Sequence, residues 1–264
     1  MRYLIAAVAV SLALQPAFAK DNPLINGESW DYLKPDFVDV PPKDGSALFE
    51  VDAPYRANDA ATVPIAISQP EDATPIERAT VIIDENPAPM AADLRFSPAM
   101  QPLDFELRVR VDQYSNVRVL AEAGGETYMN GRFVKASGGC SAPASRDPEV
   151  ALASMGQMRL RHFDDTPMMS GQRREAQIMI RHPNYSGLQR DQITQLFISA
   201  HFIDKLEVFQ GDEVLFTLEG GISVSENPVF RFFYRDNGAE SLRVRAHDTE
   251  GNVFEQELQK SAES

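Results

Sequence analysis

Apolar and polar residues alternate along most of this chain with the period of two expected of half-buried strands. The clearest run is Leu103 to Val111. There Phe105, Leu107, Val109 and Val111 point one way and Glu106, Arg108 and Arg110 the other, which predicts a strand with one buried and one solvated face. Short β-branched runs at Val63 to Ser68 and Arg78 to Asp84 are bounded by proline and acidic clusters. Val117 to Glu122 and Thr127 to Val134 flank the turn Ala123-Gly124-Gly125. The pattern lapses near Lys135 and resumes in the second half. Met158, Leu160 and His162 alternate with Arg159 and Arg161, and Ala176, Ile178 and Ile180 with Gln177, Met179 and Arg181. Ile203 to Phe209 and Val214 to Leu218 predict a hairpin around Gln210-Gly211-Asp212, followed by strands at Phe230 to Tyr234, Leu242 to His247 and Val253 to Leu258. No stretch sustains a helical period. The expected class is all-β, with short strands arranged as sandwiches.

The segment before the first strand is irregular. Trp30, Leu33 and Phe37 fall at i, i+3 and i+7 and predict a short helix, interrupted by Pro35 and ended by Pro41-Pro42. Residues 20–58 are expected to pack on the first domain as an N-terminal cover. Residues 59–140 form the first β-domain, 141–153 a linker of small residues, proline and a brief helix, and 154–260 the second β-domain.

Composition narrows the function. The 264 residues carry a net charge of −14, which repels phosphate backbones and argues against nucleic acid as a partner. Residues 1–19 read as a cleaved signal peptide. Arg2 is the positive region, Leu4 to Leu14 an apolar run too short to span a bilayer, and Ala17-Phe18-Ala19 a small-x-small cleavage site. The expected product is exported to a periplasm, with no membrane insertion after cleavage.

Export makes the single cysteine, Cys140, informative. Alone in an oxidising compartment, it either pairs between molecules as a disulfide-linked dimer or remains a reactive thiol. The bland alternative is a small buried hydrophobe. Its setting is Lys135-Ala136-Ser137-Gly138-Gly139-Cys140-Ser141-Ala142-Pro143, with few bulky neighbours to bury it. Catalysis by Cys140 is disfavoured. The four histidines, His162, His182, His201 and His247, all lie in the second half without a recognisable spacing to it, and a flexible glycine pair does not hold a nucleophile rigid. A carrier has the opposite needs, and Gly138, Gly139 and Ser141 suit a thin, flexible arm with Cys140 as covalent attachment point. Two competitors have their own residues. Met155, Met158, His162, Met168 and Met169 follow the cysteine as soft ligands suited to Cu(I), against which stands the common use of methionine as a core filler. The other competitor is a docking protein for a periplasmic dehydrogenase, with Cys140 incidental. His201 reads as a hydrogen-bonded strand residue rather than a ligand, and His182 before Pro183 as a structural residue at a strand end.

Several segments together resemble a known family. Asp84-Glu85-Asn86-Pro87-Ala88-Pro89 and Val134-Lys135-Ala136-Ser137-Gly138-Gly139-Cys140 resemble segments of SoxY, the sulfur-carrying subunit of the SoxYZ complex of bacterial thiosulfate oxidation. His182-Pro183 with Gly187, Arg190 and Asp191, then Ala200-His201-Phe202-Ile203 and Gly221 to Pro228, resemble SoxZ. The whole is similar to single-chain SoxYZ-like carriers found alongside quinoprotein dehydrogenases. The resemblance implies two immunoglobulin-like β-sandwich domains in tandem and a non-enzymatic carrier without a resident cofactor or metal. It also implies a covalent sulfur adduct on Cys140, and Sox-type enzymes or a quinoprotein dehydrogenase as periplasmic redox partners. One departure stands out. The family's arm ends as Gly-Gly-Cys-Gly-Gly at a C-terminus, whereas here Gly-Gly-Cys-Ser-Ala continues, so the arm is tethered at both ends.

Overall fold

The β-branched and alternating runs become strands of two facing sheets. The computed structural model describes residues 22–144, 148–163 and 171–260. The expected signal segment and Met168 and Met169 lie outside the described residues. The first half supplies β1 (Lys43–Asp44), β2 (Glu50–Asp52), β3 (Val63–Ser68), β4 (Ile76–Ile83), β5 (Met90–Phe96), β6 (Asp104–Val109), β7 (Ser115–Ala123) and β8 (Glu126–Val134). The second half supplies β9 (Met158–His162), β10 (Arg173–Ile180), β11 (Ile203–Gln210), β12 (Glu213–Gly220), β13 (Val229–Arg235), β14 (Ser241–Asp248) and β15 (Val253–Gln259). Two short helices, α1 (Glu28–Leu33) and α2 (Pro148–Ala153), stand outside the sheets.

The expectation of two immunoglobulin-like β-sandwiches in tandem holds, and the two are more closely joined than a linker implies. One sheet runs β1-β8-β7-β4-β5-β12-β11-β14-β15 and the other β2-β3-β6-β13-β10-β9. Both therefore cross from the first half into the second. The crossings are antiparallel ladders: Leu94 faces Leu218 and Phe96 faces Phe216 between β5 and β12, while Phe105 faces Phe232 and Leu107 faces Phe230 between β6 and β13. Strand β5 carries no clear alternation because Ala91, Ala92, Asp93 and Leu94 are all buried, and periodicity alone does not reveal it.

The two cores are one. Phe96 and Phe105 from the first half meet Phe216, Phe230 and Phe232 from the second. The Phe105 ring lies 5.1 Å from Phe216 and 5.4 Å from Phe96, edge to face in both cases, a preferred aromatic geometry.

Residues 20–58 are more than a cover. Within them β1 joins one sheet by pairing with β8, β2 joins the other by pairing with β3, and Phe49 and Val51 are core residues. The predicted helix forms as α1 followed by a 3₁₀ turn over Lys34–Asp36, with Trp30 and Phe37 stacked at 6.5 Å.

A shared core predicts shared unfolding. Heat denaturation should show one cooperative transition, and Phe105→Ala should lower that transition as a whole by about 3 to 5 kcal/mol. Differential scanning calorimetry reads this directly; two separable transitions would contradict the joined core.

Candidate functional site

The joining of the sheets brings four loops to one end of the seam. They are the residues after β6, the stretch after β8 that carries Cys140, the loop after β10, and the turn between β12 and β13. Asn86 ties the first and last of these together. Its Nδ2 donates to the carbonyl of Arg110 and to Ser223 Oγ, both at 2.8 Å, while its Oδ1 accepts the Asp112 N–H at 2.8 Å. The neighbouring Asp84 forms a buried, two-pronged ion pair with Arg118 at 2.8 Å, and Trp30 lies over that guanidinium at 4.6 Å. The loop after β10 is anchored by Asn184, which adopts the left-handed conformation (φ 43°), donates to the Ser225 carbonyl at 3.1 Å and accepts the Ile203 N–H at 3.1 Å. The segments that carried the family resemblance thus converge in space.

Cys140 sits in the cradle these loops form. Its own N–H donates to Asp112 Oδ1 at 3.2 Å, and its carbonyl accepts a short hydrogen bond of 2.5 Å from Ser186 Oγ. Gln189 Nε2 holds the Ala142 carbonyl at 2.8 Å. The N–H groups of Gly138 and Gly139 donate to the carbonyls of Asp112 and Val111 at 2.7 and 3.1 Å, and Ser141 Oγ reaches back to the Gly138 carbonyl at 3.4 Å. The thiol is fully buried.

Cys140 is therefore docked where an exposed thiol was expected, and in this docked state Gly138, Gly139 and Ser141 serve close packing. The small residues allow close docking. Gly138 takes a positive φ of 76°, and a Cβ on Gly139 would lie 2.1 Å from the Ala60 carbonyl oxygen and 2.7 Å from that of Val111, backbone atoms that cannot yield. A disulfide to a second molecule likewise requires the loop to leave its seat.

Arg110 is a second correction. The alternation places it on a solvated face, yet it is 1 % exposed, because β6 ends at Val109 and the loops bearing Gly139 and Asn184 close over it. Its Nη2 donates to the Asn184 carbonyl at 3.0 Å and its Nη1 to that of Gly139 at 3.4 Å. Burial pushes the Cys140 thiol up to about 12. Asp112 adds to the rise and Arg110 only partly opposes it. The docked sulfur is therefore a neutral thiol.

Behind the cradle lies a cluster that sequence spacing does not reveal, since Asp248 lies 66 residues from His182 and 47 from His201 along the chain. His201 Nε2 lies 2.7 Å and His182 Nε2 3.4 Å from Asp248 Oδ2, and Asn252 Nδ2 donates to the same oxygen at 2.8 Å. His182 Nδ1 accepts the Asn184 N–H at 3.1 Å, which puts the ring proton on Nε2, facing Asp248. The three ligand atoms lie within 4.8 Å of one another, a spacing a metal ion could bridge, but each already serves a hydrogen bond. The cluster anchors the loop that clamps Cys140, and His201 is the hydrogen-bonded residue expected. Of the soft-ligand set of the copper reading, two described members point elsewhere than Cys140: Met158 faces the core from β9, and His162 Nε2 lies 3.3 Å from Tyr234 Oη.

Residues 36–140 match the family model of sulfur oxidation protein SoxY and residues 164–259 that of sulphur oxidation protein SoxZ. No curated protein matches the chain. Among solved structures the chain is similar to the sulfur carrier protein SoxY from Chlorobium limicola f thiosulfatophilum, at 27% identity over 40% of this chain and 89% of that one, with a TM-score of 0.34. It is also similar to a beta-glycosidase from Bacteroides vulgatus, at 8% identity over 80% of this chain and 24% of that one, with a TM-score of 0.25.

Two measurements probe the site. Raising the thiol from its ordinary 9.0 to about 12 leaves roughly a thousandfold less thiolate at pH 8. Iodoacetamide should therefore modify native Cys140 at least ~100-fold more slowly than the unfolded chain, with Gly139→Ala recovering most of that rate and Ser186→Ala about fivefold, the worth of ~1 kcal/mol for one hydrogen bond. Equal rates for native and unfolded protein would contradict the docked loop.

The second measurement concerns acid. Burial alone would raise the Asp248 carboxyl, but the hydrogen bonds from Asn252, His201 and His182 outweigh it and hold the group at about 2, below its ordinary 3.8. Its stabilisation is present above about pH 4 and is lost as the pH falls toward about 2. Burial keeps His182 below its ordinary 6.5, so the neutral ring is favoured and that stabilisation also fades on acidification below about pH 6.5. Thermal midpoints recorded from pH 8 to pH 3 should fall in two steps, with His182→Asn removing the upper one.

Proposed function

Because this chain is a SoxY-family domain followed by a SoxZ-family domain, we propose that it is a periplasmic carrier that holds a thiosulfate-type sulfur intermediate covalently on Cys140 and presents it to partner enzymes. The observation that carries the reading is the seat of Cys140. The sole cysteine lies at the seam of the two domains and is clamped by side chains of the second one, Ser186 and Gln189. A catalytic cysteine has a base within reach and a lowered pKa, whereas this thiol is buried, neutral and held through its backbone. The protein's own chemistry is to shelter the sulfur and release it, and the reactions belong to its partners.

The partner class follows from electron balance. Joining thiosulfate to a thiol forms one sulfur–sulfur bond, releases one proton and removes two electrons. On the carrier reading those electrons pass to the enzyme that loads Cys140, which is therefore a redox enzyme, of the Sox type or a quinoprotein dehydrogenase. Export rests on the Arg2 and Ala17-Phe18-Ala19 signal features. The loop that clamps Cys140 continues into a turn capped by Asp191 Oδ1, and its tip presents Ile193, Leu196 and Phe197 to solvent, Ile193 at 90% exposure. That apolar tip supports docking of a partner beside the arm.

The same tip favours a second reading, a docking protein in which the thiol is incidental, and one experiment separates the two. Protein recovered from its native compartment should show by intact mass a sulfur adduct that maps to Cys140. Cys140→Ser should remove both the adduct and physiological activity. Full activity in Cys140→Ser, together with its loss in Ile193→Asp, would establish the docking reading instead.

A further inference from the structure

Three arginines of the described residues are almost completely buried, and they differ in one respect. Arg118 pairs with Asp84 and Arg174 with Asp236. Arg110, the largest fully buried side chain, has no ion pair with a carboxylate among the described residues. Its Nη1 and Nη2 meet only the backbone carbonyls of Gly139 and Asn184, and its Nε has no hydrogen-bond partner. A guanidinium does not give up its proton, so the seam holds a buried cation with no carboxylate in contact among the described residues, a costly arrangement unless an anion arrives. Burial is the main influence on the group. The strongest charge acting on it next is the Cys140 sulfur, ahead of Glu226 and Asp59. That sulfur is a neutral thiol when the loop is docked, so in the empty protein the Arg110 charge is opposed only through space, by Glu226 and Asp59, and no anion touches it among the described residues.

We infer that Arg110 is the built-in counter-charge for an anionic group attached to Cys140, so that the seam grips an oxyanion-bearing adduct more tightly than a neutral one. The inference rests on the carrier reading and adds what the pocket selects. A terminal sulfonate brings one negative charge and several acceptor oxygens, which suit the free Nε–H and the forked Nη groups. The two domains divide the work: Arg110 comes from the first and Asn184, which orients it, from the second. The charge of the cargo then sets how long the arm stays docked. An adduct that loses its oxyanion loses its grip on Arg110, and the arm is freed for the next partner or for reloading.

Two defined adducts test this on the full chain. Tetrathionate gives the anionic one: the Cys140 thiolate, its proton lost to solvent, attacks a central sulfur, the central sulfur–sulfur bond breaks, and thiosulfate leaves with the electron pair, so Cys140 carries a sulfane–sulfonate. Methyl methanethiosulfonate gives the neutral one: the thiolate takes the methylthio group and methanesulfinate leaves. The readout is the rate at which a phosphine removes each adduct from native protein, divided into its rate in denaturant, which cancels intrinsic reactivity. In the wild type the sulfonate adduct should be protected at least tenfold more than the methylthio adduct. Arg110→Gln should abolish that difference and Arg110→Lys retain part of it. Equal protection of the two adducts in the wild type, or an unchanged difference in a folded Arg110→Gln, overturns the counter-charge while leaving the carrier reading in place. Failure of both reagents to modify folded wild type overturns the carrier reading and this inference with it. Should Arg110→Gln not fold, the wild-type difference and Arg110→Lys decide the question.

Discussion

Two sandwiches standing apart would leave β5, β6, β12 and β13 as exposed sheet edges, each with a row of unpaired N–H and C=O groups. Pairing β5 with β12 and β6 with β13 covers all four at once, and everything else about the molecule depends on that pairing. It puts Phe96 and Phe105 against Phe216, Phe230 and Phe232, so that one aromatic cluster serves both halves. It also fixes the relative position of the halves, which a linker of small residues cannot do. The loops at the end of the seam are therefore delivered to the same place every time the chain folds, and Cys140 is seated among them.

That seating changes how a carrier arm tethered at both ends can work. A free tail swings, whereas an internal loop must peel away from its contacts. The contacts are individually of modest strength: the Ser186 hydroxyl, the Gln189 amide, the Asp112 carboxylate, the Arg110 guanidinium on the Gly139 carbonyl, the Gly138 and Gly139 N–H bonds and the close glycine packing. Each hydrogen bond is worth about 1 kcal/mol, so opening means giving up several small terms together. While docked, the sulfur is buried and protonated, which shields it from oxidants in solution. The His182–Asp248–His201 cluster braces the opposite side of the loop that clamps Cys140.

The same sequence features carried more meaning in three dimensions than in one. Asn86, Ser223 and Asn184 come from three separate segments, each weak as a signal alone. In the structure they are consecutive links of one hydrogen-bonded frame around Arg110 and Asp112. Local spacing could not have joined them, because Asn86 and Ser223 are 137 residues apart along the chain.

Period-two alternation determined most of the strands, since a half-buried strand must place every second residue in the core. The Gly-Gly-Cys stretch, by its small residues, determined where the thiol would be. Strand β5 escaped because both of its faces are buried and the alternation disappears. The burial of Cys140 escaped for a related reason: small residues permit flexibility in solution and close packing in a fold, and only the surrounding carbonyls of Ala60 and Val111 decide between the two. Arg110 continued the polar face of its strand by pattern alone. The tertiary structure decided otherwise, because the loops that bury it come from residues far along the chain and meet only when the sheets are joined.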